Sequence, residues 1–353
     1  MAAALKILAG EVALKRIRED GLQPAMISHF PAAAGGPKWL ILGQLDRYLF
    51  GDWFAGQQKP VIGIGASAGA WRLACLAQAD PAAAIDRFEA AYVEQHYASR
   101  PTAAEVSREG QRILAAIMQG CDAQQLLAHP WLRINLIAAR CRALSGHHNS
   151  GLKALGLGAA VLLNSLHRRA LALSFERLIC HHPDGPVTLR ADGFKNHYLP
   201  LAQDNLLPAL NASAAIPRVM ETVAAIPGAP SGPYMDGGMI DYHMDLPLAE
   251  PRGLALMPHF SSRVISGWLD KFLPRRRARF LQHTVLLCPS DEFIAQLPGA
   301  HVPDRQDFLR YENDDAARLR AWRTAISASR ALADEFQDCV ERQRYAELAE
   351  PLG

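Results

Sequence analysis

Val61-Ile62-Gly63-Ile64-Gly65-Ala66-Ser67-Ala68-Gly69-Ala70-Trp71-Arg72-Leu73-Ala74-Cys75-Leu76 packs three structural signals into one short run. An apolar β-type stretch, Val61 to Ile64, enters a Gly-x-Ser-x-Gly turn at Gly65–Gly69. The residues behind it, Ala70 to Ala77, read as a helix. Strand, tight turn and helix together are the setting of a nucleophile elbow. A strand that reverses sharply into a helix leaves no room for side chains beside the nucleophile, so glycine brackets it. The serine itself must take a strained backbone conformation. Such an elbow projects the Ser67 hydroxyl at the carboxyl end of a strand, against helix N-terminal N–H groups that favour developing negative charge. The pentapeptide alone is a common string, and its flanks carry the reading.

Two further motifs bear on the same chemistry. Upstream, Ala25-Met26-Ile27-Ser28-His29-Phe30 reads as a strand. It is followed by the small-residue loop Pro31-Ala32-Ala33-Ala34-Gly35-Gly36 and a helix starting at Pro37, where a missing N–H does no harm. Adjacent glycines let bare backbone approach a ligand with its N–H groups aimed inward, as an oxyanion hole requires. A tight turn that binds nothing is the plain alternative. Dinucleotide and P-loop readings fail: there is no Gly-x-Gly-x-x-Gly, and Lys38 lies outside a Gly-x-x-x-x-Gly-Lys-Ser/Thr frame. Downstream, Asp236-Gly237-Gly238 fixes an aspartate ahead of a turn. A serine hydroxyl needs a base to take its proton, and Asp236 is a candidate, although Asp-Gly-Gly also serves as a simple turn.

Taken together, Gly35-Gly36-Pro37-Lys38, Gly65-Ala66-Ser67-Ala68-Gly69 and Asp236-Gly237-Gly238 resemble the patatin-like phospholipase family, in the same order. Asn211-Ala212-Ser213-Ala214-Ala215-Ile216-Pro217 resembles that family's Ala-Ser-x-Ala-Ile-Pro segment. The resemblance spans roughly residues 25–250 through these islands. It implies a Ser–Asp dyad with Ser67 as nucleophile and Asp236 as base. It implies oxyanion donors from Gly35 and Gly36, and Lys38 at the position of the family's arginine. The chain departs from the pattern where Ala34 replaces a third glycine. Pro37 has no N–H to offer, so Ala34, Gly35, Gly36 and Ala68 remain as backbone donors. Asp241, in the acidic tract behind the motif, is a reserve base.

Composition fits a large α/β core. The chain has 353 residues, half of them hydrophobic, and a formal net charge of +2. That size allows folding without staples, and that charge gives no global field to attract nucleic acid. Six cysteines (Cys75, Cys121, Cys141, Cys180, Cys288, Cys339) show no metal spacing and read as reduced thiols of a cytoplasmic protein. The N-terminus reads as a helix continuing through Leu14 and Ile17 rather than as a signal peptide. Ala154 to Leu163 is too short to span a bilayer and reads as a buried helix.

Alternating strand and helix signals predict a three-layer α/β/α sandwich around a mainly parallel sheet, in a single domain over residues 1–353. Strand-like runs are 25–30, 60–64, 133–139, 172–180, 186–191, 253–257 and 284–288. Helix-like runs are 37–49, 68–78, 81–97, 103–119, 151–168 and 307–343. Phe175–Cys180 and Val187–Arg190 read as a hairpin. Residues 80–130 form a helical insertion after the elbow, expected to pack on the sheet edge, with a cap over the site as the alternative. Residues 305–345 form a C-terminal helical extension.

The pairs His147-His148 and His181-His182 are poor chelators, because neighbours point apart. His29 reads as a strand-end bystander. Trp268, Leu269 and Phe272 precede Arg275-Arg276-Arg277-Ala278-Arg279, which reads as a solvated basic loop, with peripheral contact to anionic lipid headgroups as the alternative. The function expected is lipid acyl-ester hydrolysis through an acyl-Ser67 intermediate, with no metal or organic cofactor. The alternatives are a Ser–His–Asp esterase using His259, His283 or His301, and a non-catalytic lipid- or protein-binding domain.

Overall fold

Val61–Gly65 lies near the middle of a ten-stranded sheet in the computed structural model, which describes residues 3–97, 101–249 and 253–352. In chain order the strands are β1 (Leu5–Ala9), β2 (Ile27–Ala32), β3 (Val61–Gly65), β4 (Leu132–Cys141), β5 (Phe175–His181), β6 (Asn196–Pro200), β7 (Tyr234–Asp236), β8 (Leu254–Pro258), β9 (Thr284–Pro289) and β10 (Ala349–Pro351). Nine of them run in the order β10-β1-β9-β8-β2-β3-β4-β5-β6. The pairings from β9 through β4 are all parallel, and helices flank the sheet, so the molecule is an α/β protein with a mainly parallel sheet. Antiparallel pairs occur at β1–β9, β4–β5 and β4–β7.

The register explains where a site can form. β2 and β3 pair in parallel up to Ala32↔Gly65, so the loop after β2 and the turn after β3 leave the same edge of the sheet. Crevices at the carboxyl ends of parallel strands are where α/β proteins bind ligands. β4 is longer than its partner. β3 pairs with its Leu132–Leu136 half, and β7 pairs with Ala138–Arg140 beyond the point where β3 has turned away. Since β5 occupies the other flank of β4, β7 takes over the β3 side. Its last residue, Asp236, is thereby delivered beside the turn at Ser67.

Helix Ala68–Leu76 is buried along its whole length. Its one charge, Arg72, donates Nε and Nη2 to Asp46 at 2.8 and 2.7 Å, both side chains fully buried. Trp39 stacks on Phe88 at 3.8 Å between ring centres, which anchors the turn behind Gly35-Gly36 to helix Pro81–Val93.

Several expectations need correction. The N-terminus is strand β1, not helix. Gly10 then starts helix Glu11–Asp20 where a Cβ would lie 1.9 Å from the Leu281 carbonyl oxygen. Residues 186–191 form no strand and no hairpin. β5 instead pairs in parallel with β6, and Leu189 makes only an isolated bridge to Leu248. The run 37–49 divides into a 3₁₀ turn (Gly36–Ile41), helix Gly43–Tyr48 and a π-type turn (Leu49–Trp53). The run 307–343 is three helices, Asp307–Arg310, Asp315–Ala328 and Arg330–Glu341, the middle one capped by the Asp314 carboxylate. Helix Ser150–Leu166 is not buried: only a narrow stripe of Gly156, Leu157, Ala160 and Asn164 meets the core. Residues 98–100, inside the predicted insertion, lie outside the described residues. Among the described residues no helix is long and apolar enough to cross a membrane.

Candidate active site

Ser67 is held at φ 55°, ψ −131°, immediately before helix Ala68–Leu76. Positive φ at a non-glycine residue is strained, costing on the order of 1–3 kcal/mol, and the surroundings enforce it. A Cβ on Gly69 would lie 2.0 Å from the Ala32 carbonyl oxygen, and one on Gly65 would lie 2.9 Å from the Gly69 carbonyl carbon. Both glycines are therefore steric necessities of the turn. The Ser67 N–H donates to Ser213, at 3.0 Å to the carbonyl oxygen and 3.0 Å to Oγ. Ser213 Oγ in turn donates to the Ile137 carbonyl oxygen at 2.6 Å.

Ser67 Oγ donates to Asp236 Oδ2 at 2.7 Å, and both residues are buried. The other carboxylate oxygen accepts the Gly238 N–H at 2.7 Å, so the Asp-Gly-Gly turn fixes the carboxylate plane. The Asp236 N–H donates to the Ala215 carbonyl oxygen at 2.9 Å. The segment Ser213–Ala215 thus braces both members of the pair. Gly237 is required where it stands, because a Cβ there would lie 2.2 Å from the Ile137 carbonyl oxygen. Burial pushes the Asp236 carboxyl above the usual carboxylate range. The Ser67 and Gly238 hydrogen bonds, with Arg305 and Lys271, pull the other way.

Gly35, Gly36, Lys38, Ser67 and Ala68 line one cavity of about 1130 Å³. Among the described residues the N–H groups of Gly35, Gly36 and Ala68 have no protein acceptor, whereas the Ala34 N–H is spent on the Tyr242 carbonyl oxygen at 2.8 Å. Ala34 is therefore removed from the candidate donors. Gly35 has no room for a side chain, since a Cβ would meet the Phe260 ring at 2.5 Å. Gly36 takes a positive φ of 57° with Arg305 packed beside it. Asp241 is no reserve base. It lies fully buried in a two-point ion pair with Arg177, at 2.6 and 2.9 Å.

Sequence reasoning missed part of the wall. Trp71, Tyr92, Ile113, Val219 and Met220 give the cavity apolar surface, partly from the 80–130 insertion, which both packs on the elbow helix and lines the site. Lys271 and Arg305 join Lys38 on the wall, and among the described residues none of the three has a carboxylate within salt-bridge distance. Lys38 lies 5.3 Å over the Phe260 ring and Lys271 4.1 Å over the Tyr242 ring. Burial lowers the Lys38 ammonium and takes Lys271 down to about 7. The wall carboxylates are otherwise engaged or outward: Asp304 faces Arg310, Asp315 pairs with Arg318, and Glu312 is exposed. Lys271 sat inside the aromatic-basic segment that the sequence singled out. Arg305 carried no signal.

Among the described residues no histidine hydrogen-bonds to Ser67, although His96 and His243 line its cavity. His259 is buried behind Phe260, accepts the Ser261 N–H at 3.1 Å, and is driven by burial to about 3. His283 lines a different cavity, and His301 faces Asp307. His29 sits within β2, not at its end, and contacts Ser28 Oγ at 2.9 Å. Among the described residues no cluster of His, Cys, Asp or Glu is placed to hold a metal ion.

The fold and this pair define an α/β protein with a serine and a carboxylate in direct contact at a strained strand–helix turn. No protein-family model matches the chain, and no curated protein sequence matches it. Among solved structures, VipD from Legionella pneumophila aligns over 94% of this chain and 70% of its own, at 11% identity and a TM-score of 0.36. A likeness of that size carries no inference about this chain.

Proposed function

We propose that the protein is a serine acyl hydrolase cleaving acyl esters of phospholipids or related lipids. The observation that carries this reading is the 2.7 Å bond from Ser67 Oγ to Asp236 Oδ2 in a buried pair on an apolar-walled cavity. Asp236 takes the Ser67 proton as Oγ attacks the ester carbonyl carbon. The displaced electron pair becomes an oxyanion, held by the N–H groups of Gly35, Gly36 and Ala68 with the Lys38 charge nearby. Collapse breaks the ester bond, and the leaving alcohol takes the proton from Asp236. Water deprotonated by Asp236 then cleaves acyl-Ser67 and restores the serine. One oxyanion donor is worth about 3 kcal/mol and general-base assistance about 10²–10⁴ in rate.

Substrate class is argued from the walls. The apolar surface suits an acyl chain, and the basic side chains of Lys38, Lys271 and Arg305, unpaired among the described residues, suit a phosphate group. The resemblance of the four motifs to patatin-like phospholipases supports the same reading. A fluorophosphonate probe tests it, with the labelled peptide mapped by mass spectrometry. Labelling at Ser67 that disappears in Ser67→Ala and weakens in Asp236→Asn is expected. A folded wild type that takes no label overturns the reading in favour of a binding domain.

A further inference from the structure

Helix Ser150–Leu166 carries an exposed apolar surface that the core does not use. Within it only Lys153 is charged, and only its Gly156/Leu157/Ala160/Asn164 stripe is buried. Gly156 lets it approach the turn below, where a Cβ would lie 2.5 Å from the Leu144 carbonyl carbon. The remaining faces point to solvent. Leu155, Leu162 and Leu166, with Leu173 and Phe272, are between 61% and 81% exposed. Apolar side chains exposed singly need no explanation, but a whole helix face does.

The neighbourhood identifies the occupant. The 3₁₀ turn Trp268–Phe272 is tied to the C-terminal half of this helix, where Asn164 Nδ2 donates to Asp270 at 2.8 Å. Arg276 donates to Asn164 at 2.9 and 2.8 Å, which sets the run Arg275-Arg276-Arg277 against the same end. Arg169, Arg275 and Arg277 are exposed and form no salt bridge among the described residues. An apolar face with a rim of unpaired arginines is complementary to anionic headgroups over acyl chains. A second copy fits poorly, because helix Ser150–Leu166 contains no Asp or Glu with which to meet the arginine rim of its partner.

We propose that this face docks in the plane of an anionic lipid surface, with the exposed leucines and Phe272 inserted and Arg169, Arg275 and Arg277 on the headgroups. The same turn links docking to the site, since its Trp268 and Lys271 line the Ser67 cavity.

The test is sedimentation of the full chain, carrying Ser67→Ala to prevent turnover, with phosphatidylcholine vesicles and with equimolar phosphatidylcholine–phosphatidylglycerol vesicles. Binding to the anionic vesicles that weakens with salt is expected. Leu162→Glu and Leu166→Glu each weaken it at least about tenfold, the loss expected when one leucine is no longer buried. The Arg275→Ala/Arg277→Ala pair lowers binding to anionic vesicles only. Leu166→Ser, at a highly exposed position, gives a milder variant if the glutamates disturb folding. In the wild-type background these substitutions leave hydrolysis of a water-soluble short-chain ester unchanged. Absence of vesicle binding, or binding indifferent to the leucine substitutions, overturns the proposal. So does a concentration-dependent dimer that Leu162→Glu abolishes. The vesicle-binding and dimerisation readouts require no active serine, so failure of Ser67 labelling does not decide them.

Discussion

Ser213 accepts the backbone N–H of Ser67 through both its carbonyl oxygen and its hydroxyl, each at 3.0 Å. The hydroxyl donates in turn to the Ile137 carbonyl oxygen at 2.6 Å, so one side chain ties the elbow to β4. Ser213→Ala deletes the hydroxyl bond to Ser67 and leaves the Ile137 oxygen without that donor. The expected loss is about 1–2 kcal/mol of unfolding free energy. On the proposed chemistry kcat falls more than KM rises, because the nucleophile's position loosens while the walls stay intact. Denaturant titration and steady-state kinetics on one ester check both parts.

The strain at Ser67 is separable from its chemistry. Ser67→Ala and Ser67→Gly both lose the bond to Asp236, but only glycine accepts φ 55°, ψ −131° freely. Ser67→Gly is therefore expected to be more stable than Ser67→Ala by about 1 kcal/mol or more, with both equally inactive. Equal melting temperatures would show that the turn relaxes when the hydroxyl is removed.

Much of this site was legible in the chain because its determinants are local. A Cβ added at Gly65, Gly69 or Gly237 would lie 2.0–2.9 Å from a backbone atom, so none of the three positions admits a side chain. What the sequence hid is long-range. The β4 register that substitutes β7 for β3 depends on pairings across about a hundred residues, and no periodicity reports it. The same holds for Arg305, brought to the cavity by the chain's last third. The helix expected at the N-terminus is real from Glu11 to Asp20, where Leu14 and Ile17 lie, and does not extend back over Leu5–Ala9. Gly10 and pairing on both flanks of β1 confine it.

Lys271 gives the cavity a charge that changes in the neutral range. It is brought to about 7 by burial first and then by Lys38 and Arg305, with Asp236 and Asp304 opposing. Below that value the ammonium is present, and above it the wall loses one cation. The preference for a phosphate-bearing acyl ester over a neutral ester of the same chain is expected to decline as pH rises from 6 to 9. Lys271→Met removes this dependence by raising KM for the phosphate ester, and Lys271→Arg extends the preference to alkaline pH. Paired KM profiles for the two esters measure it. A preference that is flat in the wild type would release Lys271 from substrate recognition.

On the proposed chemistry Asp236 sets the acid limit of activity, and it carries a stability signature of its own. Its carboxyl is raised by burial above its unfolded value near 3.8. The folded chain therefore binds that proton more tightly than the unfolded chain does. The corresponding stability is fully present below the unfolded value and is lost as pH rises through the folded one. Above its folded-state value the ionised Asp236 is thus a buried charge held at a cost, and Asp236→Asn is expected to raise the melting temperature there. Toward pH 3 the difference shrinks, because the wild-type carboxyl is then neutral in both states. Activity runs the opposite way: the base must be ionised, so kcat/KM falls on acidification at a pH above that of an ordinary carboxylate, and Asp236→Asn loses about 10²–10⁴ of the rate. Melting curves and pH–rate profiles on the same two proteins separate these effects. An Asp236→Asn variant that is both less stable above the folded-state value and fully active would make the carboxylate a structural brace and remove it as the base.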